Sequence, residues 1–286
     1  MLHNKEVVIT GASSGLGLES ARSLAAQGAN LTMLARTESK LLSAAQEIRA
    51  EFPDIEVSEQ VLDVSNLDQV RSFAQQFKKP VDILMNNAGV MGPDFSLSIE
   101  GIESQMATNH VGHFLLTKLL WQNLEQSSSP RVISLSSVVH RRGKLNGLTL
   151  ETLRGAKAAS YDRWQRYADT KLACLLFARE LDIRAKQAGS HVLSIAAHPG
   201  WAITGLQDNF PHRLDPLAQT ARQGARSQLA ACTWELTGGE FIGPSLELWG
   251  EPKQIRGSKH SRDLAVSKRL WELTEELTGE FFQLNG

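Results

Sequence analysis

A chain of 286 residues with 42% hydrophobic and 21% charged residues carries enough apolar material for one large core, and α/β folds of this length run as a single domain. Its formal charge of −1 gives nucleic acid no reason to bind, and no apolar run has the length that crosses a bilayer. Cys174 and Cys232 are the only cysteines; far apart and without CxxC or metal-ligand spacing, they fit a reducing compartment and two small buried side chains.

The first strand is expected at Lys5–Thr10, so close to Met1 that a signal peptide has no room, and the chain reads as cytoplasmic. Behind that strand, Thr10-Gly11-Ala12-Ser13-Ser14-Gly15-Leu16-Gly17 opens a helix reaching Gly28. Gly11 permits a tight turn, Gly15 lets backbone approach a ligand, and Gly17 lets the helix lie close to the sheet. The helix N-terminus then offers unpaired N–H groups to a pyrophosphate. The GxxxGxG spacing differs from GxGxxG, and an ordinary turn also uses such a triplet.

Leu31–Ala35 is the second strand, and its helix shows Leu41, Ala45 and Ile48 on one face. Where a NAD site places an acid, this chain has Ala35, which offers no acceptor, and Arg36, whose fork suits a 2′-phosphate. NADP is therefore preferred over NAD. Ile55–Leu62 forms the third strand, followed by Asp63-Val64 and a capping-box start at Ser65-Asn66-Leu67-Asp68. Val81–Met85 is the fourth, followed by Asn86-Asn87-Ala88-Gly89, whose small and amide groups serve adenine, ribose or a plain turn. A helix near Met106–Leu124, a strand at Arg131–Leu135, a helix at Tyr167–Gln187 and a strand at His191–Ala196 complete the series. Apolar strands alternating with helices predict a Rossmann-type, doubly wound parallel sheet with helices on both faces, in one domain. Residues 141–166 and 200–216 break the rhythm at strand ends and are expected to be substrate loops.

Tyr167 and Lys171 stand at i and i+4 and project from one helix face. An ammonium beside a phenol, with a cationic nicotinamide ring added, draws its pKa from near ~10 toward neutrality. Ser136-Ser137 closes the fifth strand, either as a hydrogen-bond donor to a substrate oxygen or as a strand-end cap. Residues 141–166 hold seven basic side chains (Arg141, Arg142, Lys144, Arg154, Lys157, Arg163 and Arg166) against Glu151 and Asp162. Attraction of an anionic substrate is one reading, and a solvated loop balanced by acids elsewhere is the favoured one. Trp164, Trp201, Leu206 and Phe210 suggest an apolar pocket, or ordinary core. His110 and His113 lack a further ligand at helical spacing, so no metal is expected; one should face the core and one water. Leu270, Leu273 and Leu277 form a stripe that packs on the core, with peripheral membrane docking as the alternative.

The motifs TGASSGLG, NNAG, Asn109, the Ser-Ser strand end, Tyr-Ala-Asp-Thr-Lys and His198-Pro199-Gly200 occur in the order seen in short-chain dehydrogenases/reductases. The resemblance runs from Lys5 to about Gly279. The run Asn109-His110-Val111-Gly112-His113-Phe114 and the C-terminal stretch ending at Gly279 look most like the retinol-dehydrogenase-like branch. This resemblance implies that Tyr167 is the general acid/base, that Lys171 lowers its pKa and holds the nicotinamide ribose, and that Ser137 polarises the carbonyl. It implies that Asn109 holds a water joining Lys171 to solvent, that Pro199-Gly200 lie beside the nicotinamide, and that Thr204 contacts the carboxamide. The cofactor set is then Gly11, Ser13, Ser14, Gly15, Leu16, Gly17, Arg36, Asp63, Val64, Asn87, Ala88, Gly89, Tyr167, Lys171, Pro199, Gly200 and Thr204. Thr170 replaces a frequent serine, and the interval from Ser137 to Tyr167 exceeds that of the shortest members. The expected activity is NADP-dependent interconversion of a small lipophilic alcohol and its aldehyde or ketone, in a chain free to form a homo-oligomer. A nucleotide-binding sensor without turnover and a C=C reductase are the alternatives.

Overall fold

Eight strands form one sheet in the order β3-β2-β1-β4-β5-β6-β7-β8 in the computed structural model, which describes residues 2–145, 147–203 and 218–284. β1 (Glu6–Thr10) is buried along its whole length, as expected of a central parallel strand. It leads through the glycine loop into α1 (Gly15–Ala25), which stops short of Gly28, a residue that turns the chain at φ +87°. β2 (Asn30–Ala35), α2 (Glu38–Glu51) and β3 (Val57–Val61) follow, with β3 at the exposed edge of the sheet. α3 (Leu67–Gln76) is capped by Asn66, whose side chain accepts from the Gln69 N–H. The cap is thus Asn66 and not Ser65, and it forms no capping box, because Gln69 Oε1 accepts from the Asp63 N–H and not from the N–H of the cap.

After β4 (Ile83–Asn86), the helix expected over 106–124 is broken. α4 (Ser104–Met106) passes through a π-turn at Ala107–Val111 into α5 (Gly112–Leu119), and α6 (Trp121–Glu125) follows. β5 (Arg131–Leu135) comes next. The segment read as irregular then contains a 3₁₀ turn at Val138–Arg142, α7 (Leu150–Arg154) and a second 3₁₀ turn at Ala158–Ser160. α8 (Arg163–Gln187) begins four residues earlier than expected, because Asp162 accepts from the Trp164 and Gln165 N–H groups as its cap. β6 (Leu193–Ala197), α9 (Ala221–Thr233), β7 (Phe241–Pro244), β8 (Pro252–Gln254) and α10 (Leu264–Thr278) complete the chain. β7 and β8 escape a reading by periodicity because they are four and three residues long; β8 runs antiparallel and covers the β7 edge.

Two apolar layers sandwich the sheet. α1, α2 and α9 pack on one face, and α3, α5, α8 and α10 on the other. Leu270, Leu273 and Leu277 of α10 are buried in the second layer, where Trp271 meets Phe114 edge-on at 4.9 Å. Strand order reverses between β1 and β4, which sets the crevice at the carboxyl ends of these two strands.

Candidate active site

The crevice is lined first by the glycine loop. Gly11 takes φ +67° and Gly15 φ +54°. A Cβ on Gly11 would stand 2.9 Å from Ala88 Cα, and one on Gly17 would stand 2.2 Å from the Gly11 carbonyl oxygen. The loop is thus folded tightly against the start of α1 and the residues after β4. Ser14 is the N-cap of α1, yet its side chain accepts no cap hydrogen bond. The first N–H groups of α1 therefore face the crevice beside Ser13 and Leu16, the arrangement that suits a phosphate. Arg36 follows the end of β2, exposed and without an ion pair among the described residues.

The residues after β3 and β4 mostly brace this cradle. Asp63 Oδ1 accepts from Ser65 through both its N–H and its hydroxyl. Val64 presents its carbonyl to Gly112, where a Cβ would come within 1.8 Å, so only glycine lets α5 approach so closely. Asn87 Nδ2 donates to the Thr10 carbonyl at 2.8 Å, so its amide is committed to the glycine loop. Gly89 lies between Asn109 Oδ1 and Lys171 Nζ, which its missing Cβ would meet at 3.3 and 3.6 Å.

Tyr167 and Lys171 sit on the first turns of α8, both buried. Lys171 Nζ donates to the Leu135 carbonyl at 3.0 Å and lies 5.7 Å from the centre of the Tyr167 ring. The Ser137 hydroxyl, which accepts from the Val139 N–H, lies near enough to the Tyr167 phenol to favour its ionised form. Its neighbour Ser136 turns the other way and donates to the Lys171 carbonyl, fixing α8 on the end of β5. Two influences oppose each other at the phenol. Burial raises its pKa above the ordinary 10, while the Lys171 ammonium pulls it down, in the direction the sequence argument gave, and Ser137 adds to that pull. The sequence argument counted the ammonium and omitted desolvation.

Asn109 occupies the π-turn, a helical irregularity that recurs at functional sites. Its Nδ2 donates to the Val90 carbonyl and to Thr170 Oγ1, and its Oδ1 accepts from the Val90 N–H. Its main-chain carbonyl accepts from Cys174 Sγ and His113 Nδ1. The carbonyl is thus engaged inside the core, and Asn109 anchors the 88–92 segment to α8.

Three residues that the sequence reading left without a role complete this framework: Thr10, His113 and His110. Thr10 Oγ1 accepts from the Asn87 and Ala88 N–H groups at 3.0 and 2.9 Å, which fills its two lone pairs. His113 Nδ1 faces the Asn109 carbonyl, which only accepts, so the ring carries its hydrogen there; Nε2 then accepts the Thr10 hydroxyl proton at 2.9 Å, a proton that the Met85 carbonyl also meets at 3.3 Å. His110 takes the opposite tautomer. Thr274 Oγ1 gives its proton to the Leu270 carbonyl, so His110 Nε2–H must donate to Thr274, leaving Nδ1 bare. That nitrogen, Asn86 Oδ1 and Ser134 Oγ are buried without partners. All three residues line one cavity behind Asn109 with about 10 Å³ of space for the centre of a water molecule.

Both histidines are buried, contrary to the expectation that one faces water. No group of three potential metal ligands occurs among the described residues. The basic rim is largely spent on internal partners: Arg141 pairs with Glu247, Lys157 with Glu151 and Arg163 with Asp94, while Arg166 pairs with the buried Glu103. Arg154 donates to the Glu100 carbonyl. Pro199 and Gly200 follow β6, next to the Ser136 end of β5. Gly200 has φ +75°, and a Cβ there would stand 2.5 Å from the Leu248 carbonyl oxygen. Trp201 packs against Trp249 with ring centres 6.1 Å apart. Trp164, 40% exposed, covers Gly92, so it stands at a surface and not in the core. Thr204, Leu206 and Phe210 lie outside the described residues.

Residues 5–149 match the family model described as short chain dehydrogenase. Retinol dehydrogenase 12 of Homo sapiens is 36% identical over 290 residues, covering 97% of this chain and 87% of that protein. The crystal structure of an uncharacterised protein from Mycobacterium Paratuberculosis superposes with a TM-score of 0.85 at 37% identity, covering 99% and 96% of the two chains. A short chain dehydrogenase from Escherichia coli CFT073, complexed with NADPH, shares the fold with a TM-score of 0.68 at 23% identity over 85% of this chain and 97% of that one.

Proposed function

The chain belongs to the short-chain dehydrogenase family of oxidoreductases, and within it we propose an NADP(H)-dependent enzyme that interconverts a lipophilic alcohol and its aldehyde or ketone, with Tyr167 as the general acid/base. The observation that carries this reading is a buried phenol with the Ser137 side chain beside it and the Lys171 ammonium 5.7 Å from its ring centre, at the carboxyl end of the sheet where α1 presents an uncapped N-terminus.

The cradle fits a dinucleotide. Side chains on Gly11 and Gly17 would collide with the backbone that forms it, and the free N–H groups of α1 would hold the pyrophosphate. Arg36 would take the 2′-phosphate, and Pro199 and Gly200 would border the nicotinamide. When bound, this cofactor supplies or accepts the hydride. Ser137 orients the substrate oxygen by donating a hydrogen bond to it. Tyr167, kept protonated by burial, gives its proton to that oxygen as it gains negative charge in the reducing direction. Lys171 stabilises the phenolate left behind and steadies the β5 end through the Leu135 carbonyl. Asn109 keeps the 88–92 segment against α8.

Lipophilic substrates are supported by the apolar side chains about this rim: Trp164, Ile203, Leu246 and Trp249 are each more than a third exposed. The retinol dehydrogenase relatives, by their name, act on such an alcohol. The test is NADPH consumption with a panel of aldehydes, ketones and retinoid-like carbonyls, repeated with NADH and with product analysis. Tyr167→Phe should abolish turnover and leave NADPH binding intact. Absence of turnover in both proteins, with binding intact, would favour a nucleotide sensor, and a saturated ketone or aldehyde as product would reveal C=C reduction.

A further inference from the structure

Away from the crevice, α8, the start of β7, the end of β8 and the 3₁₀ turn His260–Arg262 enclose a second cavity, open to solvent, with about 120 Å³ of space for water centres. None of Ser137, Tyr167 or Lys171 lines it. Its floor is apolar, from Leu175, Phe241 and Ile255. Arginines from three separate segments contribute to its lining: Arg179 of α8, Arg256 just past β8, and Arg262 of the 3₁₀ turn.

These arginines stand out by what they do not contact. Most arginines among the described residues are engaged: Arg22, Arg49 and Arg184 form ion pairs, for example, and Arg131 donates to the Ala231 and Trp234 carbonyls. Among the described residues, no hydrogen bond or ion pair engages the guanidinium of Arg179 or Arg256. Arg262 uses only Nε, on the Ser258 carbonyl, which fixes the stem and leaves its two terminal nitrogens open. The carboxylate in the lining, Glu240, spends Oε1 on the Thr237 N–H and hydroxyl, and its Oε2 is buried without a partner. Three arginines with uncommitted donors among the described residues therefore border one cavity that holds one carboxylate.

We propose that this cavity is a binding site for a phosphate group, free or as the terminal group of a small phosphomonoester. A planar carboxylate offers two oxygens to a guanidinium fork, whereas a phosphate offers three in different directions, matching arginines supplied by three segments around one cavity. The space is several times what one water needs. Because Arg179 lies eight residues beyond Lys171, about 12 Å along the same helix, an occupant would tie the catalytic helix to the 255–262 segment.

Calorimetric titration of the full chain with inorganic phosphate, glycerol phosphate and acetate tests this. Phosphate should bind saturably, acetate at least tenfold more weakly, and the Arg179→Gln/Arg256→Gln double variant should weaken phosphate by roughly tenfold or more. A tighter fit for glycerol phosphate than for phosphate would identify the phosphomonoester as the better ligand. Arg36→Gln, which changes the nucleotide seat, should leave phosphate binding unchanged. Phosphate should also raise Tm in the wild type and not in the double variant; lacking partners, the two replaced side chains should leave the phosphate-free Tm as it was. The proposal fails if the wild type shows no saturable binding, if the double variant binds as well as the wild type, if Arg36→Gln removes the binding, or if acetate binds as tightly as phosphate.

Discussion

Replacing Lys171 with methionine isolates the electrostatic part of the mechanism. The ammonium lies 5.7 Å from the centre of the Tyr167 ring. At an effective dielectric constant of ~20, a unit positive charge at that separation stabilises a phenolate by about 3 kcal/mol, which corresponds to about two pH units. Burial already places the phenol above its ordinary value, so Lys171→Met pushes it further up. Alcohol oxidation needs the phenolate as base, so its pH–rate midpoint should move upward by about two pH units, and at a pH below both midpoints the rate should fall roughly 100-fold. Carbonyl reduction uses the protonated phenol and should stay on its low-pH plateau in both proteins, reduced only by the lost cofactor contact. Comparing kcat against pH in both directions separates these effects. An oxidation midpoint that is identical in wild type and Lys171→Met would refute the assignment of Lys171 as the charge that tunes Tyr167.

Arg36→Ala should lower kcat/KM for NADPH by roughly 10- to 100-fold, the worth of charge-assisted hydrogen bonds to a phosphate, with little effect on NADH; equal losses for both cofactors would remove Arg36 from 2′-phosphate recognition. A crystal structure should show one ordered water bonded to His110 Nδ1, Asn86 Oδ1 and Ser134 Oγ, since the first two accept and the third donates. Ser134→Ala should then cost about 1–3 kcal/mol in denaturant titrations, and a dry cavity would contradict the assigned tautomer of His110. Burial lowers His110 and His198 from 6.5 to about 3 and His113 to about 4. The unfolded chain therefore binds protons that the folded chain refuses, and stability is complete above about pH 6.5 and falls as pH drops toward 4. Each histidine contributes a slope of about 1.4 kcal/mol per pH unit, so urea midpoints should fall between pH 6.5 and 5, less steeply in His110→Gln; a flat response would show these side chains charged in the fold.

The sheet was legible because continuous apolar runs at β1, β2, β4, β5 and β6 have one explanation in a chain that alternates with helices. The motifs at their ends placed the candidate site residues in order. Three kinds of feature were not legible. β7 and β8 are too short to carry a period. The π-turn at Ala107–Val111 has no signature in hydrophobic spacing, because it depends on which carbonyls the surrounding residues claim. The burial that opposes Lys171 at Tyr167 was hidden, because spacing reveals the neighbouring charge and conceals the depth at which the phenol sits. The basic rim shows the converse. Seven cations in one stretch look like an anion attractor until Glu247, Asp94 and Glu103 arrive from distant positions to pair with them.

Thr10 shows how the two halves of the site depend on each other. A single hydroxyl closes the turn after β4 by accepting from Asn87 and Ala88, and it donates to His113. His113 in turn donates to the carbonyl of Asn109, whose side chain holds Val90 and Thr170. The nucleotide cradle and the start of the catalytic helix are therefore joined by an unbroken series of hydrogen bonds through buried groups, each with its lone pairs and protons assigned. In such surroundings an unmet partner costs about 1–3 kcal/mol, so the glycine loop cannot shift without disturbing the anchor of Tyr167 and Lys171. That coupling explains why the second histidine of Asn109-His110-Val111-Gly112-His113 is built in as a neutral donor, below its ordinary pKa.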